Sequence, residues 1–207
     1  MLKDIKNYLE KCLKENNYAG KEPLFCDKKL AVDKISAVMI NEIVPQNPKD
    51  YFYSDMENPA YMETTTLLFQ KAGITVKSIE DITDKGIYLT AAVKTAKEQY
   101  AVETDTIKNQ LFLLEAELSL FKNLKVIMLM GDVAKKAFNL IAKKNTGKNV
   151  IPSGSTYKIR KEKYYYGDIQ VFPSYIMTGG NILIEKSKQD MVAEDIGEMM
   201  KILSNQY

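Results

Sequence analysis

Apolar residues recur along this chain in two rhythms, a helical period and short unbroken runs, and the two alternate from one end to the other. Leu2, Ile5, Tyr8, Leu9, Cys12 and Leu13 stand at helical spacing and predict an amphipathic covering helix over residues 2–16. The run Ile35, Ala37, Val38, Met39, Ile40 has the length of a strand buried on both faces, and Asn41 and Glu42 follow where the sheet is expected to end. Pro45 and Pro48 stiffen the loop beyond it, which then carries the successive rings Tyr51, Phe52 and Tyr53. A helix is predicted over 61–72, closed by Gly73, whose missing side chain suits a left-handed cap. A second strand follows at 87–93, then a helix at 104–121 with Ile107, Leu111, Leu114, Leu118 and Phe121 on one stripe. The apolar run 124–130 predicts a third strand that passes through Gly131-Asp132 into a helix at 133–144. Residues 145–168, broken by glycines and then alternating, predict a hairpin insertion. A fourth strand at 169–172 and a closing helix at 187–203 complete the chain. Strands alternating with helices imply an α/β fold with a parallel sheet covered on both faces.

Composition narrows the partners more than it narrows the fold. A chain of 207 residues that is 45% hydrophobic supports one core, so residues 1–207 are expected to form a single domain with 1–30 as a helical lead-in. No apolar run approaches the length of a membrane span, and the charged first helix is unlike a signal peptide, so a cytoplasmic, membrane-free protein is expected. Cys12 and Cys26 are too few for a disulfide framework or a thiolate cluster. Histidine is absent, which removes Ser-His-Asp and Cys-His chemistry and the commonest metal ligand. The net charge of +2, with Arg160 the one arginine, argues against groove reading by bidentate arginine and leaves lysine for phosphates.

In open α/β sheets ligands bind beyond the carboxyl ends of the strands. Four strand-end segments, taken together and in order, resemble the uracil-DNA glycosylase superfamily. They are Asn41-Glu42-Ile43-Val44-Pro45, Thr90-Ala91-Ala92-Val93-Lys94, Gly131-Asp132-Val133-Ala134, and Pro173-Ser174-Tyr175-Ile176-Met177-Thr178. The resemblance covers roughly residues 34–203 and is nearest to the iron-sulfur bacterial and archaeal branch. It implies a three-layer αβα sandwich around a four-stranded parallel sheet and a DNA base-excision activity. The chain departs from the pattern where it matters chemically. The family's base-reading Asn falls on Ala91, its leaving-group His falls on Ile176, and its cluster cysteines are missing, so no metal and no cofactor are expected.

Excising a base requires an extruded nucleotide, a stabilised sugar cation with an attacking water, and a setting that accepts the departing base. Glu42 is the candidate for orienting water and stabilising the cation, Asn41 for positioning the water, and Thr178 for replacing the missing His as a neutral donor. The resemblance places the base-stacking ring on Tyr53 or Tyr61. Nucleic-acid contacts are expected from Asn47, Lys94, Lys97, Ser174, Tyr175, Gly179 and Asn181. Asn and Glu after a strand are also ordinary turn residues, and lysines in a lysine-rich chain also serve to solvate it. Three functions stay open: a DNA glycosylase for uracil or another damaged base, a catalytically impaired nucleic-acid or nucleotide binder of the same fold, and a hydrolase of a small nucleoside. The expected partner is DNA or a nucleobase ligand, met by a monomer.

Overall fold

The computed structural model describes residues 1–96 and 101–204. Strand β1 (Leu2–Asp4) leads into helix α1 (Ile5–Glu15), whose first turn is capped where the Asp4 carboxylate accepts from the Asn7 amide at 2.9 Å. Strand β2 (Lys29–Ala31) returns antiparallel to β1. There follow β3 (Ala37–Ile43), α2 (Ala60–Lys71), α3 (Ile79–Asp84), β4 (Ile87–Val93), α4 (Thr104–Ser119), β5 (Val126–Met130) and α5 (Asp132–Thr146). The chain ends with α6 (Thr156–Ile159), β6 (Tyr164–Tyr166), β7 (Ile169–Ser174), α7 (Asn181–Ile184) and α8 (Lys186–Ser204).

The main sheet runs in the order β4-β3-β5-β7-β6. The first four are mutually parallel and β6 pairs antiparallel with β7. Five strands therefore stand where four are expected. The fifth comes from the predicted hairpin, which is narrower than residues 145–168: it is β6 turning through Gly167-Asp168 into β7, while Thr156–Ile159 coil into a helical turn. Helices cover both faces, with α4 and α5 packed together on one side and α2 and α8 on the other. Because both faces are covered, β3, β4 and β5 are apolar almost without interruption, as fully buried parallel strands must be.

Strand order places the functional end of the sheet. The chain steps from β3 to β4 on one side and then to β5 on the other, so the order reverses at β3, and a crevice opens outside the carboxyl ends of β3 and β5. Strand β3 also runs further than the apolar pattern suggests. Asn41 pairs with Ala91 and Ile43 with Val93, so Asn41 and Glu42 belong to the strand and project to opposite faces.

Beside the edge strand β4 lies a fully buried polar cluster. Glu117 of α4 accepts from the Tyr88 hydroxyl at 2.6 Å, the Thr90 hydroxyl at 2.8 Å and the Lys94 ammonium at 2.6 Å, and Lys94 also donates to Thr90. Lys94 is 0% exposed, and burial pulls its ammonium below the usual lysine value against the opposing attraction of Glu117. The sequence expects Lys94 on the surface meeting phosphates. The structure instead turns it inward, because it ends an alternation of Tyr88, Thr90 and Lys94 that faces the one acid on the inner stripe of α4. Removing one partner of such a pair leaves a buried charge alone. Lys94→Met is therefore expected to lower the unfolding free energy by about 3–5 kcal/mol in urea titration. Adding Glu117→Gln should restore a large part of that loss, since the amide oxygen still accepts from Tyr88.

Candidate active site

The site is built where β3, β5 and β7 end side by side. Glu42 leaves β3 toward the first turn of α5, and its Oε1 accepts from the Val133 amide at 3.0 Å. An unpaired N–H at a helix start carries partial positive charge, so it is a natural seat for a carboxylate. Gly131 makes that approach possible. Its φ is 105°, and a Cβ there would collide with the Glu42 carboxylate and lie 2.7 Å from Ile176 Cγ1. The Gly131 amide in turn donates to the Ser174 carbonyl at 3.1 Å, which ties the end of β7 to the same turn. Burial pushes the Glu42 carboxyl above its ordinary range and the neighbouring Asp132 adds to this, while the Val133 and Asp132 amides and Lys135 oppose it.

Glu42 lines a cavity of about 470 Å³, within the range of small-molecule sites. Its walls bring together Glu42, Tyr61, Tyr175, Thr178, Gly179 and Asn181 from the residues singled out in the sequence. The Tyr61 hydroxyl donates to the Ile43 carbonyl at 3.0 Å, which stands its half-buried ring along one wall. The Tyr175 ring lies 5.6 Å below the Lys188 ammonium, which also pairs with Glu185 at 2.8 Å.

The other candidates lie elsewhere. Asn41 is fully buried; its Nδ2 donates to the Thr90 carbonyl at 3.3 Å, and its Oδ1 has no hydrogen-bond partner. Tyr53 is 2% exposed, its hydroxyl donates to the Leu89 carbonyl at 2.7 Å and its ring stacks on Tyr88, so it fills the core instead of offering a face to a base. Asn47 is exposed and caps the short turn Pro48–Asp50 by accepting from the Lys49 amide. Lys97 lies outside the described residues. Ser174 is buried, and its hydroxyl donates to Asp195 at 2.6 Å.

That last bond belongs to a buried support behind the cavity wall. Arg160 donates to Asp195 Oδ1 at 2.5 Å, to Glu194 at 2.8 Å and to the Met191 carbonyl at 2.7 Å. Asp195 thus joins α8, the 156–160 turn and the last residue of β7, from which the 175–181 wall departs. A signal for it was present, since Asp195 is an acid on the apolar stripe of Val192, Ile196 and Met199, in a chain with one arginine. A larger hollow of about 690 Å³ opens on the other side of Ile43, between Tyr18, Thr95, Gln110 and Phe112. Gln110 in its wall is already committed: it accepts from the Lys94 amide and donates to Thr95.

Residues 43–186 match the family model of the uracil DNA glycosylase superfamily, well over half of the chain. The chain belongs to the uracil-DNA glycosylase superfamily. Comparison with curated proteins gives no match. Among the described residues no helix is long and apolar enough to cross a membrane, and no group of three or more Cys, Asp or Glu side chains is arranged to hold a metal ion. The superfamily match begins one residue after Glu42 and ends just past Glu185, so it takes in every other residue lining the Glu42 cavity except Lys188.

Gly131→Ala should expose how closely this site is packed. A forced positive φ costs about 1–3 kcal/mol for a non-glycine residue. Gly147, at φ 78° with open space around it, carries that cost alone when changed to alanine. Urea unfolding of both variants should show Gly131→Ala as the more destabilised, the excess combining the collision with Glu42 and the stricter backbone at Gly131, where ψ is 177° against −4° at Gly147.

Proposed function

We propose that this chain is a DNA base-excision glycosylase that hydrolyses the bond between C1′ and the base of an extruded nucleotide. The observation that carries this is the half-buried Glu42 carboxylate, fixed on the first turn of α5 and facing a cavity walled by Tyr61, Tyr175 and Thr178. The extruded base enters between the tyrosine rings, where stacking offsets part of the loss of its neighbours in the duplex. Glu42 stabilises the positive charge that grows on the sugar and accepts a proton from the attacking water. The Thr178 hydroxyl donates toward the departing base, in the place of the family's histidine. Amides of Gly179, Gly180 and Asn181 face the strand backbone. Leu183 and Ile184, 44% and 78% exposed, sit on the one-turn helix beyond this wall and supply apolar surface to occupy the gap left in the base stack. The work is that of a monomer in the cytoplasm, and every step uses groups of this chain and water.

Oligonucleotides carrying single uracil, hypoxanthine, xanthine or alkylated bases, followed by alkaline cleavage of abasic sites, test the proposal. At least one base should be released, and Glu42→Gln should slow its release by about 10²–10⁴-fold. The active form of Glu42 is the ionised one. Because its folded-state pKa is raised, activity should fall as the pH drops through a value above the ordinary carboxylate range, and this acid limb should vanish in Glu42→Gln. No release from any substrate at stoichiometric protein would refute catalysis. Base release from nucleosides alone would assign a small-molecule hydrolase instead.

A further inference from the structure

Resting on the glycosylase function proposed above, we infer that the cavity's substrate is a cationic base, an N-alkylated purine nucleotide such as N7-methylguanine, in preference to uracil. Three features of the wall favour a base that arrives positive and leaves neutral. The first is charge: Glu42 and Glu185 face the cavity against one cation, Lys188, whose ammonium is held by Glu185 at 2.8 Å. The second is the aromatic lining of Tyr61 and Tyr175. The Tyr175 ring already carries an ammonium over its face, the geometry in which an aromatic ring attracts positive charge. The third is the leaving-group side. Ile176 stands 42% exposed over Gly131, the one arginine is turned away onto Asp195, and the whole chain has no histidine.

These features act on the two kinds of base in opposite ways. Uracil departs as an anion, and that negative charge would grow in a cavity lined by two carboxylates, where the side-chain donors include the neutral groups Thr178, Gln46 and Asn181 and the ammonium of Lys188 that Glu185 already holds. An N7-alkylated purine already carries a positive charge. When its C1′–N9 bond breaks, the bonding pair moves onto the purine and cancels that charge, so the base leaves neutral without protonation. The water oxygen bonds to C1′ and its proton passes to Glu42. The carboxylates then favour the bound ground state through charge and the sugar cation in the transition state, and the missing donor costs nothing.

The test compares matched oligonucleotides bearing one N7-methylguanine or one uracil, with free base quantified by chromatography against protein-free controls. Release of N7-methylguanine should exceed both the protein-free loss and uracil release by about tenfold or more. Glu185→Gln removes a wall carboxylate and frees Lys188, and should shift the methylguanine-to-uracil ratio toward uracil; Ile176→His, which supplies a donor, should shift it the same way. Uracil release equal to or faster than methylguanine release overturns the inference and leaves the glycosylase function standing. Release of neither base above the protein-free loss, with hypoxanthine and xanthine also retained, overturns both.

Discussion

The contact on which the rest of the site depends is the one between the Glu42 carboxylate and the first turn of α5. It joins a side chain of β3 to the backbone that follows β5, and it does so across Gly131, where a side chain would not fit. The same glycine bonds the end of β7 through Ser174. Three strand ends are thereby held in one turn of backbone, at the point where strand order reverses and the fold leaves an open crevice. Two influences compete at the carboxylate: helix amides favour its charge and burial disfavours it. Burial is the larger, and it holds the carboxyl above its ordinary value.

Two buried ionic clusters, neither of them lining the Glu42 cavity, brace the elements around this crevice. Lys94 and Glu117 fix β4 against α4, and Arg160 with Asp195 fixes the end of β7 against α8. Buried pairs of this kind add little net stability, since desolvation offsets most of the attraction, but losing either partner strands a buried charge, so each pair ties its two elements together. The consequence for function is geometric. The loop 175–181 leaves a strand end that Asp195 holds through the Ser174 hydroxyl, and from there Tyr175 and Thr178 line the same cavity as Glu42.

How much of this could be read from the chain follows from what each signal measures. Apolar periodicity reports burial, so the parallel strands and long helices are legible in it; Tyr61 and Thr178 come from the family resemblance instead, and the structure brings both to the cavity that Glu42 lines. Periodicity does not report where a strand stops pairing: a polar Asn41 after an apolar run reads as loop, yet it pairs with Ala91 and is fully buried. Polarity misled in the same way at Lys94 and Ser174, whose partners Glu117 and Asp195 lie 23 and 21 residues distant in sequence. Tyr53 failed as a stacking ring for the opposite reason. Its neighbours Tyr51 and Phe52 pack with it into the core; the Tyr61 ring, at the start of α2, packs against the same two rings and also lines the cavity. The extra strand β6 was too short, at three residues, to stand apart from its turn.

The central claim is that Glu42 is a partly buried, titratable carboxyl seated on the start of α5. A carbon-detected nuclear magnetic resonance titration of the glutamate carboxyl groups, followed together with the Val133 amide, tests it most directly. One carboxyl, absent from the Glu42→Gln spectrum, should titrate above the ordinary glutamate range, and the Val133 amide should shift with the same midpoint. An ordinary Glu42 titration with a Val133 amide indifferent to it would contradict the account.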